Sequence, residues 1–148
     1  MLLGKYENRI DKKGRAVLPA KLRVSLDAKL VLVKGFDKCL YLFSEKSWEK
    51  YAEEHVENRP DEDEDVRIFK SLFYANSMPV DIDKQGRINI PEEFLSYAGV
   101  KNEMINIGAV SRVEIWAKER YEKIASNEGK NMGDIVSKMK KYIEKNNE

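Results

Sequence analysis

Aspartate and arginine, four positions apart with glycine just before the arginine, occur twice in this 148-residue chain. The two runs are Asp11-Lys12-Lys13-Gly14-Arg15 and Asp83-Lys84-Gln85-Gly86-Arg87. The match continues to Pro19 and Pro91, each preceded by an apolar residue (Leu18, Ile90), all at an offset of 72. Such a run reads as a hairpin tip. Glycine takes a positive φ at no steric cost, the carboxylate and the guanidinium brace each other across the neck, and the lysines point to solvent. Exposed cations on a tight loop can neutralise phosphates, and an arginine held by a carboxylate is aimed for a guanine edge. The same run can equally be a salt-braced turn that the fold needs in both halves, with no partner at all. Asp11, Gly14, Asp83 and Gly86 are therefore expected to be structural. Arg15, Lys13, Lys12, Arg9, Arg87 and Lys84 are the candidate nucleic-acid contacts, with Lys21 or Arg23 as further phosphate contacts.

Other residue types offer little chemistry. His55 falls in a Lys/Glu-rich helical stretch and reads as a solvated surface residue. Cys39 opens a strand with no histidine or cationic nest to lower its pKa. Glu53-Glu54 and Glu92-Glu93 fall on amphipathic helices as solvated faces. No glycine-rich phosphate loop and no metal-ligand spacing is present. The sequence therefore reads as a non-enzyme with no cofactor, no metal and no small-molecule substrate.

Composition gives the broad class. Charged residues make up 36% of the chain, yet the formal net charge is only +1. A basic patch must then come from asymmetry along the chain. A single cysteine excludes an intrachain disulfide and fits a reducing compartment. No apolar run reaches the ~18 residues that suggest a membrane span, and charges come too early for a signal peptide. The expected location is the cytoplasm, with no membrane partner.

The elements that position the tips are also duplicated. Lys5 to Ile10 reads as a strand into the first turn, and Ala16 to Leu18 as the strand out of it. A short helix follows Pro19. Leu30 to Val33 and Leu40 to Phe43 are apolar strands, and Ser44 is a plausible N-cap for a helix running to His55. The second half replays this order with Ser77 to Ile82, Ile88 to Ile90, Glu92 to Ala98, Met104 to Gly108, Val113 to Trp116 and Lys118 to Ile124. Between the halves, Pro60 and the acids after it suggest a helix N-terminus, with Val66, Phe69, Leu72 and Phe73 as its apolar stripe. The expected divisions are repeat 1 over 1–56, a connecting helix over 57–75, repeat 2 over 76–125 and an amphipathic helical tail over 126–148.

Halves of roughly 50 residues are marginal as separate cores, so they are expected to share one barrel-like core with internal pseudo-two-fold symmetry. Their charges differ. Gly4 to Ala28 carries seven Lys or Arg against three acids, and Asn76 to Val100 carries two against four. The first half is dressed for a polyanion. Oligomerisation would multiply its modest patch by effective concentration. The rival reading is a ring-forming protein-interaction scaffold that does not read DNA.

From Gly4-Lys5-Tyr6 to about Ile124 the chain resembles the MraZ family, regulators with two SpoVT/AbrB-like domains. The resemblance rests on both Asp-x-x-x-Arg runs, Leu18-Pro19-Ala20-Lys21, Tyr97-Ala98-Gly99 and Val113-Glu114-Ile115-Trp116. It implies an α+β, mainly β fold, a tandem AbrB-like swapped-hairpin barrel with short peripheral helices. It further implies a ring-like homo-oligomer, an octamer being one candidate size, and a nucleoid-associated cytoplasmic location without cofactor. The implied function is sequence-specific binding of double-stranded promoter DNA at repeated boxes, repressing the division and cell-wall gene cluster. Carried onto this chain, Arg15 is the position to touch DNA, supported by Lys12 and Lys13. Arg87 holds the matching place in the second copy.

Overall fold

The computed structural model describes residues 1–126 and 131–146, and it divides into two units, Met1–Ala117 and Lys118–Glu148. In the first unit β1 (Leu2–Arg9) runs into the first Asp-x-x-x-Arg turn, and β2 (Arg15–Val17) leaves it. Pro19 precedes the single-turn α1 (Ala20–Arg23), and two apolar strands follow, β3 (Lys29–Lys34) and β4 (Leu40–Ser44). The Ser44 hydroxyl accepts from the Ser47 amide at 3.3 Å and so caps α2 (Glu45–Ala52). That helix runs on through a π turn at Glu53–Glu57. After α3 (Glu64–Ala75), the second half repeats the order with β5 (Ser77–Asp81), β6 (Arg87–Asn89), α4 (Glu92–Ala98), β7 (Glu103–Val110) and β8 (Val113–Ala117). Gly99, at φ 70°, ends α4 in the left-handed conformation that glycine best tolerates. The second unit contains α5 (Lys118–Ala125) and α6 (Met132–Asn146). The fold is α+β and mainly β, as the resemblance implies.

Six strands form one antiparallel sheet in the order β1-β7-β8-β4-β3-β5, and β2 and β6 form a separate two-stranded ribbon. The order is a palindrome of the two halves. The first strand of each half pairs with the third-strand equivalent of the other, β1 with β7 and β5 with β3. The ladders also fix which residues correspond. Leu30 and Leu32 lie opposite Val80 and Met78, as Met104 and Asn106 lie opposite Asn8 and Tyr6.

Alternation along the strands sends one set of side chains to each face. Leu30, Leu32, Leu40, Leu42, Met104, Val113 and Ile115 face a core closed by Ala16 and Ile88 of the ribbon, Leu22 of α1, and Phe94 and Leu95 of α4. On β4 the alternate residues Tyr41 and Phe43 face the other way, into an aromatic layer with Tyr51 of α2. Phe73 of α3 stacks on Tyr51 and on Trp48.

Helix α3 departs from the sequence pattern at both its start and its face. It begins after Asp63, whose side chain accepts from the Asp65 amide at 2.8 Å, and Pro60 lies outside it. Leu72 is 57% exposed, while Lys70 is only 9% exposed. The buried lysine is satisfied by the Arg59 carbonyl at 2.9 Å and the Asp61 carboxylate at 2.7 Å. Those two bonds close the segment between the π turn and α3, which a periodicity reading of Val66, Phe69, Leu72 and Phe73 could not anticipate.

Candidate functional site

The two turns have the same internal geometry. Asp11 Oδ1 accepts from the amides of Lys13 (2.9 Å) and Arg15 (2.8 Å), and Oδ2 accepts from Arg15 Nε at 2.9 Å. Asp83 does the same with the amides of Gln85 and Arg87 (2.9 Å each) and Arg87 Nε at 2.8 Å. Gly14 and Gly86 sit at φ 82° and 79°, so glycine is required by the backbone in both. At Gly14 the requirement is also spatial, because a Cβ would lie 2.8 Å from the Ile90 carbonyl oxygen. These bonds make each aspartate the centre of its own turn.

The carboxylates respond electrostatically. The Arg15 amide is the main cause holding Asp11 below the ordinary aspartate value of 3.8, and the Arg87 amide does the same for Asp83. A folded-state pKa below the unfolded one means that the brace stabilises the turn above the ordinary value. That contribution is lost as pH falls through the lower, folded value. In an NMR titration from neutral into acid, the amide shifts of Lys13, Arg15, Gln85 and Arg87 are expected to move together, with a midpoint under 3.8. A midpoint at or above that value would mean that the brace does not persist in solution.

The turns are one surface. Arg15, Ala16 and Val17 pair with Asn89, Ile88 and Arg87. The Ile90 amide donates to the Gly14 carbonyl at 2.7 Å, and the Leu18 amide to the Gly86 carbonyl at 2.9 Å. Each turn is thus stapled to the strand leaving the other. Ala16 and Ile88 point into the core, so Arg15, Val17, Arg87 and Asn89 form the outward face. The alternation was visible in both runs, but only the pairing brings Val17 and Asn89 beside the two arginines.

Among the described residues, the side chains of Arg15 and Arg87 each bond only to their own aspartate, through Nε. Their terminal nitrogens remain for another partner. Lys12, Lys13 and Lys84 are exposed on the turns, and no ion pair holds them among the described residues. Arg9 differs, since its guanidinium meets Glu103 at 3.1 Å. Arg23, counted with the cations of the first half, reaches the second turn. A Cβ on Gly86 would lie 1.7 Å from its Nη1. The charge split read along the chain is therefore smaller in space than in sequence.

The remaining candidates are placed elsewhere. His55 is exposed in the π turn, its ring 4.6 Å from that of Tyr51. Cys39 is buried, its Sγ 3.2 Å from the Phe36 carbonyl. Among the described residues, no group of three or more His, Cys, Asp or Glu is placed to hold a metal ion. No helix among them is long and apolar enough to cross a membrane.

Comparison with known proteins places this geometry in context. A family model described as "MraZ protein, putative antitoxin-like" matches the chain twice, over residues 1–69 and 73–141. The second match runs past Ile124, where the resemblance read from the motifs stops. Among curated relatives, the transcriptional regulator MraZ of Acetivibrio thermocellus is 38% identical over 139 residues, covering 94% of this chain and 96% of the relative. That of Caldanaerobacter subterraneus subsp. tengcongensis is 39% identical over 142 residues, covering 96% and 99%. That of Thermoanaerobacter sp. strain X514 is 43% identical over 127 residues, covering 86% and 88%.

Proposed function

The chain belongs to the MraZ family, and on that premise we propose that it is a transcriptional regulator that binds double-stranded promoter DNA through the outward face of the β2–β6 ribbon. The observation that carries this reading is the pair of braced arginines on a two-stranded ribbon. A two-stranded ribbon is one of the shapes that the major groove admits. An arginine fixed through Nε keeps its terminal nitrogens for the O6 and N7 of guanine. Lys12 and Lys13 lie beside Arg15 as phosphate contacts, and Lys84 and Arg23 lie beside Arg87. Phosphate contacts set position and carry no sequence information.

In this reading several copies assemble as a ring-like homo-oligomer. Successive ribbons engage repeated promoter boxes, and occupancy of the promoter represses transcription. Binding by many modest patches is strong in total because each further contact is intramolecular. The protein then acts in the cytoplasm, at the nucleoid, without catalysis.

Fluorescence anisotropy with the chain's own upstream DNA and a scrambled control tests it. The wild type is expected to prefer its own DNA. Arg15→Ala is expected to lose about 1–3 kcal/mol of that preference for each base contact removed, while staying folded and oligomeric. If Arg15→Ala discriminates as the wild type does, the Asp11–Arg15 pair is a brace alone; if the wild type itself shows no preference, the scaffold reading takes its place.

A further inference from the structure

The ribbon is tied to the sheet by a polar relay that the β1–β7 ladder possesses and the equivalent β5–β3 ladder does not. The Asn8 side-chain amide donates to the Val17 carbonyl at 2.8 Å. Asn8 Oδ1 accepts from Asn106 Nδ2, also at 2.8 Å. Asn106 is completely buried, and among the described residues its own Oδ1 has no hydrogen-bond partner. The ladder correspondence shows what the other ladder, β5–β3, does at these two places. Val80 stands where Asn8 does, and Leu32 where Asn106 does, and both are buried in the core. The fold can therefore fill these sites with apolar side chains. A buried amide oxygen without a donor costs stability, and a half-satisfied polar pair is worse than an apolar one. The relay needs a reason other than packing.

Its far end supplies one. Val17 lies two residues from Arg15 on the same strand and the same outward face. A bond to its carbonyl fixes where β2 sits over the sheet, and so where Arg15 is held. The β1–β7 ladder that carries the relay is also the one whose β1 leads into the turn with Lys12 and Lys13.

We propose that Asn8 and Asn106 are positioning residues for the nucleic-acid-reading face, holding β2 through the Val17 carbonyl so that Arg15 is presented in one place. The inference rests on the DNA-binding function proposed above. Rigid seating of a contact group is what separates discrimination from mere attraction, because phosphate contacts tolerate displacement and base contacts do not.

The test uses the full chain and gives each position its counterpart's residue, as Asn8→Val, Asn106→Leu and the double variant. Anisotropy against own and scrambled upstream DNA at two salt concentrations is combined with thermal unfolding and light scattering. The double variant removes both side-chain amides, the unpartnered Asn106 Oδ1 included, and leaves only the carbonyl of the exposed Val17 without its donor. It is expected to unfold at or above the wild-type temperature, assemble to the same size and keep the wild-type salt dependence. Its preference for its own DNA is expected to fall about tenfold, the loss of one badly placed base contact. A purely structural pair would move unfolding and leave preference alone. If the double variant keeps the full wild-type preference, the positioning role is overturned. Should it fail to assemble, the single Asn8→Val at the half-buried end decides by the same comparison. A wild type with no preference at all would instead overturn the DNA-binding reading, and this inference with it.

Discussion

Phe43→Ala is expected to destabilise the chain by about 3–5 kcal/mol, the usual range for deleting a buried phenyl group. Phe43 is fully buried on β4, a central strand with β8 on one side and β3 on the other. Its ring centroid lies 6.3 Å from Tyr41 and 5.2 Å from Tyr51, and Tyr51 is 6.0 Å from Phe73. Removing it opens a cavity between the sheet and α2, beneath the Tyr51 ring on which Phe73 of α3 stacks. Leucine cannot collapse into the gap, because the leucines of β4 all face the opposite core. Urea unfolding measures the loss directly, and Phe43→Leu should recover more than half of it. A cost under about 1 kcal/mol would mean that the aromatic layer rests on the sheet without stabilising it.

Gly108→Ala should be nearly as damaging, at about 2–4 kcal/mol, and for a different reason. No side chain yields here. A Cβ on Gly108 would lie 2.4 Å from the Leu3 nitrogen and 2.7 Å from the Leu2 carbonyl carbon and Leu3 Cα, all main-chain atoms. Gly108 faces Gly4 across the β1–β7 ladder, so two strands meet where neither has a side chain. The added methyl group must push β1 off the sheet edge. Hydrogen exchange should show the effect locally, as faster exchange from Leu2–Arg9 than from β3 and β4. On the proposed DNA-binding role, the same variant should also weaken preference for the chain's own DNA, since β1 carries Asn8. Uniform destabilisation with β1 still protected would contradict the steric account.

The parts of this structure that the sequence announces are those set by local chemistry. The turns follow from Asp, Gly and Arg at fixed spacing, and the Ser44 cap and the Gly99 stop follow from single residues. The apolar runs at Leu30–Val33 and Leu40–Phe43 specify strands and faces. They do not specify partners, because period-2 alternation says which residues are inward but not which strand lies alongside. Pairing of β1 with β7 and β5 with β3 is therefore invisible to any local pattern, and so is the joining of two turns into one ribbon. Asn106 is hidden for the same reason. It interrupts the apolar run Met104 to Ile107, and its partner Asn8 is almost a hundred residues away. Leu72 leaves its expected place in the stripe, and Lys70 is buried because a lysine with two good oxygen partners can be, which hydrophobicity alone does not predict. Arg23 belongs to one turn in the chain and to the other in space.

The palindromic sheet also has a consequence in time. Leu2 pairs with Val110, so β1 leaves the ribosome more than a hundred residues before the strand that receives it. At about 5–20 residues per second, that interval is on the order of 5–20 s. Through all of it β1 has no ladder to join, while β3 and β4 can already close as a hairpin. Nor can β7 and β8 later complete their sheet without it. Synthesis of this chain thus runs with an open strand held in waiting, and a protein cut between its repeats would leave each half with two strands in search of partners, β1 and β2 in one and β5 and β6 in the other.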